Sequence, residues 1–163
     1  VRDANRGRVY ETERIAHRLM DRAGGGAHTL QIAGTTLTVP AEAKFGDVGA
    51  VARYVDDVLA LHPVRERFVN ASAPVRVRRR KGSRAAHYEA SGHVIAVPDS
   101  AEGTWALREL VVLHELAHHL DPRDDGQMHG ASFVDTLIEL VGLVLGPEVG
   151  LVYRVLFTEA GVR

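Results

Sequence analysis

Hydrophobic and polar positions follow two different periods along this chain, and the switches between them lay out its elements. Residues 5–22 repeat with helical spacing, with Val9, Ile15, Leu19 and Met20 set among arginines and glutamates. Gly24-Gly25-Gly26 closes that helix. Residues 28–32 and 35–39 are short runs rich in Thr, Leu, Ile and Val, and Ala33-Gly34 between them reads as a hairpin turn. Asp47 is placed to cap a helix over 48–61, with Val51, Tyr54, Val55 and Val58 on one face. Pro63 opens a short helical turn, and residues 75–79 alternate as a strand. Residues 85–90 and 93–97 flank Ser91-Gly92 as a second hairpin. The next helix takes Thr104 as its N-cap, runs on from Trp105 and is stopped by Pro122. Two more follow, over 131–144 and from Pro147 onward. This order predicts one α+β domain over 1–163, a small antiparallel or mixed sheet packed with helices.

The helix before Pro122 differs from the others because it is apolar nearly all round. Leu107 and Val111 share a stripe with His114 and His118, while Val112 and Leu116 are apolar on the other side. Such a helix is buried, and buried imidazoles need partners. The two histidines belong to the run His114-Glu115-Leu116-Ala117-His118. One helical turn separates them, so both rings leave the same face and can hold one Zn²⁺. Glu115 stands beside them, able to take a proton from a water that the metal activates. With nine histidines and eleven glutamates in the chain, chance supplies about 0.03 such matches. The alternative is a pair of core histidines satisfied by hydrogen bonds.

A catalytic zinc site usually takes three protein ligands and keeps a fourth position open. His129 is the leading third ligand, because the intervening residues 121–128 hold Pro, Gly and several Asp and can turn the chain back. Glu139, Asp121, Asp124 and Asp125 are rival ligands. His119 projects about 100° away from His118 and should miss the same ion. The three aspartates could also accept the second ring N–H of a ligand histidine. Tyr88 and Tyr153 could each donate a hydrogen bond to the oxyanion of a tetrahedral intermediate. Tyr88 is preferred, as it lies on the hairpin just before the motif helix, and His87 and His93 could line the same cleft. Nitrogen donors suit zinc and would also accept iron or nickel.

Bulk properties narrow the partners. Lys and Arg number 20, Asp and Glu 21, so a net charge of −1 asks for neither nucleic acid nor an anionic surface. The chain has no cysteine, hence no disulfide and no thiolate-bound metal. No apolar run reaches membrane-spanning length and no secretory core precedes the first helix, which fits a cytoplasmic bacterial protein without a membrane partner. Arg76, Arg78, Arg79, Arg80, Lys81 and Arg84 form a basic run without interleaved aromatics. It reads as a solvated strand end, with nucleic acid as the alternative partner. A strand beside the motif helix could add an extended peptide to its edge, and the hairpin 85–97 is the candidate.

The run His114-Glu-Leu-Ala-His-His119, with His129-Gly130 and Phe133 after it, resembles two related groups. The nearer is a family of uncharacterised actinobacterial proteins classed as metallohydrolases by this motif, similar over most of the chain, including Tyr88 and residues 105–119. The more distant is the SprT-like metallopeptidases, similar only over about residues 104–135. The resemblance implies a zincin-like fold, zinc on His114, His118 and His129, and Glu115 as catalytic glutamate. The chain lacks the cysteine zinc ribbon expected of the DNA-repair members. The expectation is a zinc metallopeptidase acting on a peptide or protein substrate. Its alternatives are a zinc-stabilised binding module without catalysis and a metallohydrolase of non-peptide amides or esters.

Overall fold

The computed structural model describes residues 3–81, 85–98, 107–123 and 125–162. Thr104, Trp105, Arg84 and Asp124 lie outside the described residues. The protein is α+β, with six α-helices and two small sheets among the described residues. It divides into two compact units, residues 1–42 with 122–163, and residues 43–121.

The first unit holds α1 (Arg6–Gly24), β1 (Thr29–Ile32), β2 (Thr35–Thr38), α5 (Ala131–Leu145) and α6 (Pro147–Glu159). The strands β1 and β2 pair antiparallel as the sequence leads one to expect. Ala33 and Gly34 at the turn both take positive φ, 49° and 75°, matching the twist a two-residue hairpin requires. α5 packs on α6 and α6 on α1. Phe133, Leu137, Leu140, Val141, Val149, Val152 and Tyr153 are fully buried there. Tyr153, considered above for an oxyanion role, is a core residue of α6 whose ring lies 6.0 Å from that of Phe157. The two long helices approach closely at Gly142 and Gly150, where a Cβ on Gly150 would stand 2.9 Å from the Gly142 Cα.

The second unit holds α2 (Val48–Ala60), α3 (His62–Arg67), a 3₁₀ turn (Val69–Ser72), β3 (Arg76–Arg79), β4 (His87–Glu89), β5 (Val94–Val97) and α4 (Glu109–Leu120). Asp47 caps α2 as its position suggests, its Oδ1 accepting from Ala50 N at 2.7 Å. The sheet is mixed, in the order β3-β5-β4, with β3 parallel and β4 antiparallel to β5. This narrows the reading of hairpin 85–97 as a sheet edge to its first strand. β5 is the central strand and is buried at all four positions, so only β4 of that hairpin is an edge. Its continuous apolar run Val94-Ile-Ala-Val97 is what a strand covered on both faces needs. On β3 the alternation puts Arg76 and Arg78 on one face. Arg78 pairs with Glu89, and the Arg80 guanidinium donates to Ala85 O at 2.7 Å. No helix among the described residues is long and apolar enough to cross a membrane.

Backbone contact at Gly150 gives a sharp contrast between two neighbouring glycines. Gly150→Ala pushes a methyl into the backbone of Gly142, which cannot rotate away, and should cost about 1–3 kcal/mol in urea unfolding. Gly142→Ala meets the Gly150 Cα at an ordinary 3.7 Å. It should be neutral or stabilising by up to about 1 kcal/mol through helix propensity.

Candidate metal centre

The motif lies on α4, all twelve of whose residues are buried. The helix begins later than its apolar pattern suggests. Arg108 is extended (φ −101°, ψ 150°), and α4 starts at Glu109. The reason is a strand-like contact with the segment 43–45. Phe45 N donates to Leu107 O at 2.8 Å, Glu109 N to Ala43 O at 2.9 Å, and Lys44 bridges Arg108. Glu109 then fixes the helix start through its side chain. Its Oε1 accepts from Ala43 N at 2.9 Å and its Oε2 accepts the Tyr54 hydroxyl. Pro122 ends the helix as expected, with Asp121 extended before it.

His114 and His118 project one turn apart, ring centroids 5.0 Å from each other and planes at 75°. Both are buried, as is Glu115 between them. The Tyr88 ring on β4 lies nearly parallel to that of His118, at 6.4 Å and 8°. His119 turns to other partners, as its position on the helix predicts. Its Nε2 lies 2.9 Å from Asn70 O and 3.1 Å from Ala73 O. Carbonyls only accept, so Nε2 carries the proton and Nδ1 accepts the Tyr88 hydroxyl at 3.0 Å. Burial holds the His119 pKa below its ordinary value, against the opposing pull of those two carbonyls, and keeps this neutral tautomer. His93 packs edge-on against His119 at 4.9 Å. His87 engages Glu89 at 2.8 Å. The hydrogen bonds of Arg78 and then of His87 hold the Glu89 pKa below its usual range.

In the other unit, His129 occupies the turn that leads into α5 and is buried. Its Nδ1 lies 2.5 Å from Asp3 Oδ2, a partner 126 residues away. Its ring meets Phe133 edge-on at 5.0 Å and Tyr10 at 5.5 Å. The sequence offered Asp121, Asp124 or Asp125 for a carboxylate of this kind. Asp125 has a different task. Its Oδ1 accepts from Gln127 N at 2.9 Å and its Oδ2 from Ser132 N at 3.0 Å, capping α5 in place of the side chain that Gly130 lacks. Gly130 must be glycine for this, since a Cβ there would lie 2.2 Å from Asp125 Oδ2. Asp121 is buried at the end of α4, and Glu139 is half-buried on α5.

Asp3, Tyr54 and Glu109 were not legible as site-building residues. Only Glu109 left a trace, an acidic residue near a helix start. No protein-family model, curated protein or solved structure matches this chain.

The Asp125 cap should show in the pH dependence of stability. The N–H groups of Gln127 and Ser132 hold its pKa below the usual carboxylate value. The cap's contribution is therefore present above the unfolded pKa, about 3.9, and is lost as pH falls through the lower folded value. Asp125→Ala should cost about 0.5–2 kcal/mol at neutral pH by urea unfolding. The gap between variant and parent should close in strong acid, and a gap independent of pH would exclude the ionised cap.

Proposed function

We propose that this protein is a zinc-dependent hydrolase, most simply a metallopeptidase of zincin-like fold. His114, His118 and His129 would be the ligands and Glu115 the general base. The observation that carries the reading is the fully buried helix α4, which presents two imidazoles one turn apart with a carboxylate between them. The donor set fits a zinc ion. His114, His118 and His129 are all buried, and each offers a ring nitrogen of the kind zinc accepts. With Nδ1 of His129 engaged by Asp3, Nε2 would be the ligating nitrogen. The ion, when bound, supplies Lewis acidity, acidifying water and polarising a carbonyl.

The remaining steps belong to the chain's own groups. The Glu115 carboxylate accepts a proton from the attacking water and returns it to the leaving amine. Tyr88, whose proton goes to His119 in the arrangement described, would reach an oxyanion only by exchanging that acceptor. β4, an edge strand of its sheet among the described residues, is where an extended peptide would add as a further strand. A second reading is favoured by one observation. Glu115 is only 4 % exposed, as suits a closed zinc site that holds the fold together without catalysis.

Glu115→Gln separates the two. In the hydrolase reading the variant retains stoichiometric zinc and loses peptide hydrolysis by about 10²–10⁴-fold, measured on a fluorogenic peptide mixture with zinc content read in parallel. A variant that cleaves as fast as the parent removes Glu115 from the mechanism. A zinc-loaded parent that cleaves nothing, yet melts far lower once chelated, favours the closed site.

A further inference from the structure

The carboxylate that engages His129 comes from the segment just before α1, a part of the chain that nothing in the motif region points to. Asp3 and His129 meet at 2.5 Å, with the imidazole 4 % and the carboxylate 22 % exposed. An ionised carboxylate can only accept, so His129 Nδ1 is the donor. A neutral imidazole with its proton on Nδ1 keeps its one lone pair on Nε2. The contact therefore decides which nitrogen keeps the lone pair, and it also fixes the ring. Rotating the imidazole by half a turn would exchange Nδ1–H for a C–H against the carboxylate. Phe133, in the first turn of α5, and Tyr10, on the first turns of α1, also meet the ring. Arg6 in turn stacks over Tyr10, its guanidinium carbon 5.7 Å from the ring centroid. Position, rotation and tautomer of His129 are thus all set by the residues that open α1 and α5.

We propose that Asp3 is a positioning residue of the metal centre: it holds His129 as the Nδ1–H tautomer, leaves Nε2 as the ligating nitrogen, and thereby sets metal affinity. This rests on the metal reading above. With a divalent ion bound, the carboxylate would also raise the basicity of the ligand through its negative charge. Asp125, nearer to His129 in sequence, has another task. Asp125 is committed to the amides of Gln127 and Ser132, and its carboxylate presses against Gly130.

The test is zinc affinity in the whole chain, by competition with a chromophoric chelator at fixed pH, for the parent, Asp3→Ala, Asp3→Asn and His118→Ala. Asp3→Ala should bind Zn²⁺ about 10–100-fold more weakly than the parent. Asp3→Asn should fall between them, because an amide oxygen still accepts from Nδ1–H without the charge. Thermal melts of the metal-free proteins show whether the alanine variant is folded, and a merely structural Asp3 would lower those melts while leaving affinity unchanged. An Asp3→Ala variant that binds as tightly as the parent overturns the proposal. A second readout needs no variant. Long-range ¹H–¹⁵N correlation spectra of the zinc-loaded parent should show His129 protonated at Nδ1, and protonation at Nε2 overturns the proposal equally. Failure of the underlying reading looks different: the parent then takes up no zinc, or His118→Ala takes it up unchanged.

Discussion

Burial of α4 is the constraint on which the rest of this protein turns. A helix with no solvent-facing side can carry polar residues only where each is matched, because a charge or an imidazole removed from water costs several kcal/mol when it finds no partner. α4 carries five such residues, Glu109, His114, Glu115, His118 and His119, among Leu, Val and Ala. Two of these matches anchor the helix. Glu109 is held by Ala43 and Tyr54, and His119 by Asn70, Ala73 and Tyr88. Those contacts sit at the two ends of the helix and fix its position and rotation. The middle of the helix, where His114, Glu115 and His118 stand, is thereby presented in one orientation.

The two units use opposite means to place a histidine. In the second, geometry comes from a regular element, since one helical turn between His114 and His118 guarantees that their rings leave the same face. In the first, His129 belongs to a turn with no such periodic constraint. There the ring is held by contacts that include a hydrogen bond to Asp3 and the rings of Phe133 and Tyr10. A residue on a loop needs this kind of support if it is to act as a ligand, because loop backbone alone leaves its side chain several orientations. The glycine after it has a related purpose. Gly130 leaves room for Asp125 to reach back and cap α5, so that the helix begins where the turn ends.

His118 and His119 show how neighbouring residues of one type diverge. They are adjacent in the sequence, but the 100° step of the helix sends them to different surroundings. His118 stays beside His114, whereas His119 reaches the 3₁₀ turn and locks its proton between two carbonyls. Tyr88 lies against both, stacked on the first and bonded to the second. Its hydroxyl thus has a structural occupation that its place on the hairpin did not suggest.

The amino-acid order by itself determined what depends on short-range periodicity: the extents of most helices, the Ala33-Gly34 turn, the Asp47 cap and the His114–Glu115–His118 spacing. These follow from i,i+4 and two-residue repeats and from the φ preferences of a few residues, so they can be read without knowing what packs where. Tertiary structure decided the features that join distant segments. It made β5 a central strand by bringing β3 alongside it in parallel. It delayed the start of α4 by pairing residues 43–45 with 107–109, and it gave His129 its partner from 126 residues away. No local pattern encodes which of 21 acidic residues will meet a given imidazole, because that contact is fixed by the folding of whole elements.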